Sequence, residues 1–192
     1  FSSAEFYANS LSVHASVAAH TLAGLDGVST LPVTCQPVEF FDSAGATYDE
    51  AVEPEGASRY NPQEALLVVR KIEELCAAGV PENAIAVISP YAAQVRWLRE
   101  QLKQHEIEID SIDGFQGREK EAVIVSLVRS NPDGEIGFLA DVRRMNVALT
   151  RARRKLIVVG DSATIGSDPF YQRLINYFEQ IGAYHSVWEI AG

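Results

Sequence analysis

Seven consecutive residues, Ala122 to Val128, are apolar except for Ser126, and no other feature restricts the fold as tightly. A strand with one face in water alternates polar and apolar residues. An unbroken apolar run needs cover on both faces, as a central strand of a parallel sheet has between two helical layers. Ala84–Ile88 and Lys155–Val159 read as further strands of this kind, and Ile107–Ile112 alternates. Helical spacing recurs between them. Asn61-Pro62-Gln63-Glu64 offers a capping residue, a proline for the first turn and an acid for the positive helix end. Ala65, Val69, Ile72 and Cys76 follow at helical intervals, and Gly79 with Pro81 stops that helix. A second helix carries Val95, Leu98 and Leu102, and two more are expected near 142–150 and 169–180, the last ended by Gly182. Strands alternating with helices in this way predict an α/β fold, a three-layer sandwich around a mainly parallel sheet.

The expected division is an N-terminal arm with the first strand at 1–41, an acidic, poorly ordered loop at 42–60, and the body of the domain at 61–192. At 192 residues such a chain buries about 70% of its unfolded surface. Net charge is −10, with 8 acidic and 1 basic side chains in residues 1–60 against 18 and 15 in the remainder. Nucleic-acid binding through bulk electrostatics is therefore excluded, and any such contact has to use a local groove. No apolar run approaches the roughly 18 residues of a membrane span and no leader opens the chain, so no membrane partner is expected. Cys35 and Cys76 are far apart without Cys-x-x-Cys spacing, which suits a reduced, intracellular and cytoplasmic (or nuclear or nucleoid) setting. With Phe1 first and Met145 the only methionine, a piece of a longer translation product is expected.

Three segments that follow strands could line the carboxyl edge of the sheet, where ligands of such folds sit: Ser89-Pro90-Tyr91, Asp113 to Glu119, and Arg129-Ser130-Asn131. Two glycines, Gly114 and Gly117, flank Phe115 and Gln116, and Glu119 could accept hydrogen bonds from ribose hydroxyls; the alternative is a hairpin-like turn with a surface glutamate. Arg144 to Arg154 runs a cluster of arginines into a core strand. Some of these complement a helix dipole, but Arg151 should sit at the carboxyl edge of the sheet facing an anion. Tyr91 could stack on a nucleobase or pack between helix and sheet. Ser111, Ser126 and Ser130 could donate to phosphates. Trp97 and Trp188 read as core anchors. The scattered His14, His20, His105 and His185 suggest no metal site. Neither a Gly-x-Ser-x-Gly elbow nor a Gly-x-x-x-x-Gly-Lys-[Ser/Thr] loop is present, so the chain does not cradle a triphosphate in that manner.

Ser111–Glu119, Val128–Asn131 and Arg144–Arg153, in this order and spacing, resemble superfamily 1 helicases of the group that includes the nonsense-mediated decay helicase and the immunoglobulin-mu-binding helicase. The likeness extends to Phe1–Tyr7 and Ser89–Gln94 and covers almost the whole chain except the acidic loop. It implies the second RecA-like motor domain of an ATP-dependent helicase, lacking its own phosphate loop. Arg151 would then be the arginine finger on the γ-phosphate, and Glu119 would hold the ribose, with Gly117 and Arg154 beside the nucleotide. Tyr91, Gln94, Ser111, Arg129 and Ser130 would face single-stranded DNA or RNA. ATP with Mg²⁺ would be bound mainly by a first RecA-like domain, which carries the phosphate loop, the Mg²⁺-binding carboxylates and a water-orienting glutamine. That domain, and a Tyr-Arg-Met-His segment expected just ahead of Phe1, lie outside this chain, so the chain alone is expected to be inert. Two rivals remain open: a catalytically inactive nucleic-acid-binding or scaffold module of the same fold, and an unrelated α/β phosphotransferase with an arginine-rich anion site.

Overall fold

The structure, a computed structural model, describes residues 1–54 and 56–190. An arm holding α1 (Ser2–Tyr7) and α2 (Pro32–Cys35) leads into β1 (Val38–Asp42). A short antiparallel pair, β2 (Ala51–Val52) and β3 (Arg59–Tyr60), precedes α3 (Pro62–Ala77). The body continues through β4 (Ile85–Ser89), α4 (Ala92–Gln101), β5 (Glu108–Ser111), β6 (Lys120–Ser126), α5 (Val142–Leu149), β7 (Ala152–Gly160), α6 (Ser162–Ile165) and α7 (Pro169–Gln180). It ends with β8 (Tyr184–Ser186) and α8 (Val187–Ile190).

Six strands form one parallel sheet in the order β5-β4-β6-β7-β1-β8. Successive residues of the central strands enter opposite cores. Val123 and Val125 of β6 and Val158 of β7 pack with Phe115, Met145, Leu174 and Phe178 under α5 and α7. Ala122 and Ile124, with Ile157 and Val159, pack with Ile72, Leu75 and Leu98 under α3 and α4. Both faces being apolar is what the unbroken run required, and each fully buried Val or Ile stabilises the sandwich by about 1.5–3 kcal/mol.

The start of α3 follows its sequence signal. Asn61 Oδ1 accepts the Glu64 N–H at 2.9 Å, and Pro62 occupies the first turn. Two expectations are corrected. The acidic stretch 42–60, expected as a poorly ordered loop, is structured in part, because β2 pairs with β3 and Glu50 bridges Arg59 and Arg129 at 2.8 and 2.7 Å; residue 55 lies outside the described residues. Trp188 is 65% exposed and anchors no core, whereas Trp97 packs partly buried against the α3–α4 side.

The apolar run also ends earlier as a strand than expected. β6 stops at Ser126, because Val128 has φ +73°, a left-handed conformation that is strained for a β-branched residue.

Candidate nucleotide and nucleic-acid faces

All six strands point the same way, so the ends of the connecting segments decide which residues share an edge. The β5–β6 connection has eight residues and no helix. It folds as successive turns, with Phe115 N–H donating to Ser111 O at 3.0 Å and Arg118 N–H to Phe115 O at 3.2 Å, while the fully buried Phe115 ring pins it to the sheet. Asp113 thus stays near the carboxyl edge, and Gly117 to Glu119 arrive at the amino edge, where β6 begins. The three expected segments therefore do not line one edge, and the Asp113–Glu119 stretch is a crossover rather than a hairpin.

At the amino edge this crossover meets the arginine run from 33 residues away, so Arg151, expected at the carboxyl edge, sits at the opposite one because it precedes the first residue of β7. Lys120 N–H donates to Arg151 O at 3.2 Å, and Arg151 Nη1 donates to Arg118 O at 3.5 Å. The Arg151 guanidinium also donates to Val147 O at 2.9 Å and Thr150 Oγ1 at 3.1 Å. Among the described residues no carboxylate pairs with it, and the side chain stays half-buried at the surface. Its neighbours differ. Arg153 is 3.2 Å from Glu119 and 3.4 Å from Glu121, and the two carboxylates hold its guanidinium above the usual value. Gly117 has φ +80° with open space where a side chain would be, so conformation rather than crowding calls for glycine there. Glu119, Glu121, Arg153 and Arg154 line an open cleft of about 500 Å³ beside this turn. Arg154 is less available than expected: Nε donates to Glu121 at 2.8 Å and Nη1 to Thr21 O at 3.2 Å, which ties the arm to the sheet.

At the carboxyl edge most of the expected nucleic-acid contacts turn inward. Tyr91 is 3% exposed, with its ring against Phe138 at 5.6 Å and its hydroxyl 3.5 Å from Arg129 Nη1, so packing wins over stacking on a ligand. Gln94 is fully buried. It accepts the Asn61 N–H at 2.9 Å and donates to Ser126 Oγ at 2.9 Å. Arg129, 2% exposed, donates to Glu50 at 2.7 Å. These three side chains organise the edge from within and offer no surface to a ligand. The Ser130 hydroxyl is half-buried and donates to Asp161 at 2.7 Å, leaving no free donor for a phosphate. Ser111 stays at the surface, where it accepts the Gly114 N–H at 3.1 Å and lines a narrow cleft with Pro90, Asp113, Phe138 and Arg144.

The residues that sequence reasoning missed hold this edge together. Glu64 is fully buried. Its Oε1 accepts the Ser126 hydroxyl at 2.6 Å and the Val128 N–H at 2.9 Å, so the carboxylate clamps the strained turn that leads to Arg129. Burial raises its pKa from 4.5 to about 7, against the lowering effect of the Ser126 and Val128 hydrogen bonds. Asn61 Nδ2 donates to Val128 O at 3.3 Å from the same helix start. Only the acid at the third helical position was legible, and it read as a helix-end charge.

Gly137 is the second missed residue. At φ +55° a side chain there would collide with Arg129 Nη1 and the Tyr91 hydroxyl. Gly137→Ala is expected to lower the unfolding free energy by about 1–3 kcal/mol, read by urea denaturation. A loss below about 0.5 kcal/mol would mean that the turn is not wedged as described. Among the described residues no group of three or more His, Cys, Asp or Glu could hold a metal ion, and no helix is long and apolar enough to cross a membrane.

Residues 1–163 match a family model described as an AAA domain. The chain is 46% identical over 191 residues to DNA-binding protein SMUBP-2 of Rattus norvegicus, covering 98% of this chain and 19% of that protein. It is 44% identical over 172 residues to DNA polymerase alpha-associated DNA helicase A of Saccharomyces cerevisiae, covering 84% and 25%. With the regulator of nonsense transcripts 1 homolog of Arabidopsis thaliana the identity is 35%, over 94% of this chain and 15% of that protein. The chain thus spans a quarter or less of the length of these relatives. Among solved structures, the C-terminal domain of a possible DNA helicase from Lactobacillus plantarum superposes with a TM-score of 0.52 at 13% identity, over 84% of this chain and 99% of that one, a likeness of fold alone. An AAA-type match across most of the chain, a RecA-like parallel sheet and helicase relatives at this identity lead to one conclusion: the chain belongs to the superfamily 1 helicase family, in the group of the immunoglobulin-mu-binding and nonsense-mediated decay helicases.

Proposed function

We propose that this chain is the second motor domain of an ATP-driven helicase, closing one wall of an ATP site and gripping single-stranded nucleic acid at the opposite edge of its sheet. One observation carries the reading. Arg151 presents a guanidinium held by neutral oxygens alone among the described residues, directly beside the Gly117–Glu119 turn. A cation oriented in advance and not neutralised by a neighbouring carboxylate is what a developing phosphoryl charge requires. Glu119, half-exposed at the cleft rim, can accept from ribose hydroxyls if it parts from Arg153. The phosphate loop, Mg²⁺ ligands and attacking water would come from the first motor domain, and hydrolysis at the shared cleft would supply the free energy for movement.

The two edges are joined by one short helix. Helix α5 carries Arg144 in its first turn at the carboxyl edge and ends immediately before Thr150-Arg151 at the amino edge, a span of about 12 Å for its eight residues. In a motor, a shift of this helix as a rigid body would couple the two edges. The test is ATP hydrolysis by a protein that carries both motor domains, with and without a single-stranded oligonucleotide. Strong stimulation by the strand is expected. ATP-independent binding with no hydrolysis would favour the inactive scaffold, and phosphoryl transfer by this chain alone would favour the unrelated enzyme.

A further inference from the structure

We infer that Phe138 is the surface on which this domain stacks an unpaired nucleobase. The inference rests on the reading above, that the carboxyl edge grips a single strand. Phe138 is 65% exposed, yet the turn that carries it is fixed on both sides. On one side Gly137 lies against Arg129 and Tyr91, and the Tyr91 ring backs the Phe138 ring at 5.6 Å. On the other, Leu139 is buried and its carbonyl accepts the Tyr171 hydroxyl at 2.7 Å. An aromatic ring in water on so constrained a backbone is pre-organised, and a flat partner can cover it at little entropic cost.

The surroundings select the partner. The cleft beside Phe138 is lined by Pro90, Ser111, Ile112, Asp113 and Arg144, and among the described residues none of the other large exposed apolar side chains borders it. One ring in a polar frame falls far short of the roughly 1,200 Å² that a stable protein interface buries. A nucleobase offers a planar face of matching size, with edge groups for Ser111 and Arg144. Charge points the same way. Arg144 lies 3.0 Å from Asp113 and 3.6 Å from Asp141, so it is largely neutralised and attracts phosphate weakly. In a chain of net charge −10 the grip at this edge has to come from stacking more than from counterion release.

The test uses the protein with both motor domains and two probes: a fluorescent single-stranded oligonucleotide, and the same strand with abasic sites through the bound region. Phe138→Ala is expected to weaken binding of the base-bearing strand about 5- to 100-fold and to leave the abasic strand unaffected. Phe138→Tyr should bind like the parent, and the salt dependence of affinity should not change. Equal affinity of Phe138→Ala and parent for the base-bearing strand would overturn the inference while leaving the helicase reading intact. An equal loss on both strands would also overturn it, since a structural role does not distinguish them. If the parent protein binds neither strand, the gripping reading fails and the inference with it.

Discussion

Arg151→Ala, in a protein carrying both motor domains, is expected to reduce strand-stimulated ATP turnover by about 10³- to 10⁵-fold while nucleotide affinity changes by less than about tenfold. The asymmetry follows from what the side chain touches. Its partners among the described residues are Val147 O, Thr150 Oγ1 and Arg118 O, all uncharged, so the full guanidinium charge remains available for a charge that develops only in the transition state. A ground-state anchor would instead change binding and turnover together. Loss of these hydrogen bonds also removes a cation from the end of α5, worth about 0.3–1 kcal/mol, so the thermal midpoint should move only slightly. Arg151→Lys keeps the charge but not the planar fork, and an intermediate rate is expected. Steady-state turnover with nucleotide titration decides the matter; unchanged turnover in Arg151→Ala removes this residue from the phosphate.

The second large effect concerns stability and pH. Because burial raises the Glu64 pKa from 4.5 to about 7, the folded state holds this proton more tightly than the unfolded chain does. Stability from this group is therefore complete below about pH 4.5 and declines as pH rises through about 7, by about 3 kcal/mol in all. Glu64→Gln removes the titration. Its amide oxygen can still take the Ser126 hydroxyl and the Val128 N–H that Oε1 accepts, although the amide nitrogen then meets Val128 N–H, which lies 3.1 Å from Oε2. Urea denaturation from pH 4.5 to 8 should show the variant gaining on the parent by about 3 kcal/mol as pH rises. Parallel pH profiles for the two proteins would rule out Glu64 as the titrating group.

How much of this was legible varies with the distance of the partner along the chain. The α3 start was readable because Asn61, Pro62 and Glu64 act within one turn, and the β6 run was readable because both its faces are apolar. Arg151 and Glu119 were picked out by motif, but their edge was not, because it depends on an eight-residue crossover reversing across the sheet without a helix. Tyr91 and Phe138 show the same limit. Two aromatics in connecting loops look alike in sequence, and only the packing of the Tyr91 hydroxyl against Arg129 and of its ring beneath Phe138 leaves one covered and the other exposed. Arg129, expected to face nucleic acid, turns inward because its partner Glu50 lies 79 residues earlier, in a stretch that read as solvated loop.

Periodicity and turn chemistry by themselves determined the layered α/β architecture, since burying an unbroken apolar strand permits few other arrangements. Tertiary structure alone decided which polar side chains face water. A buried charge or amide is tolerable only where a partner meets it, and the partners here, Glu50 for Arg129, Glu64 for Ser126 and Asn61 for Gln94, come together only when distant segments pack.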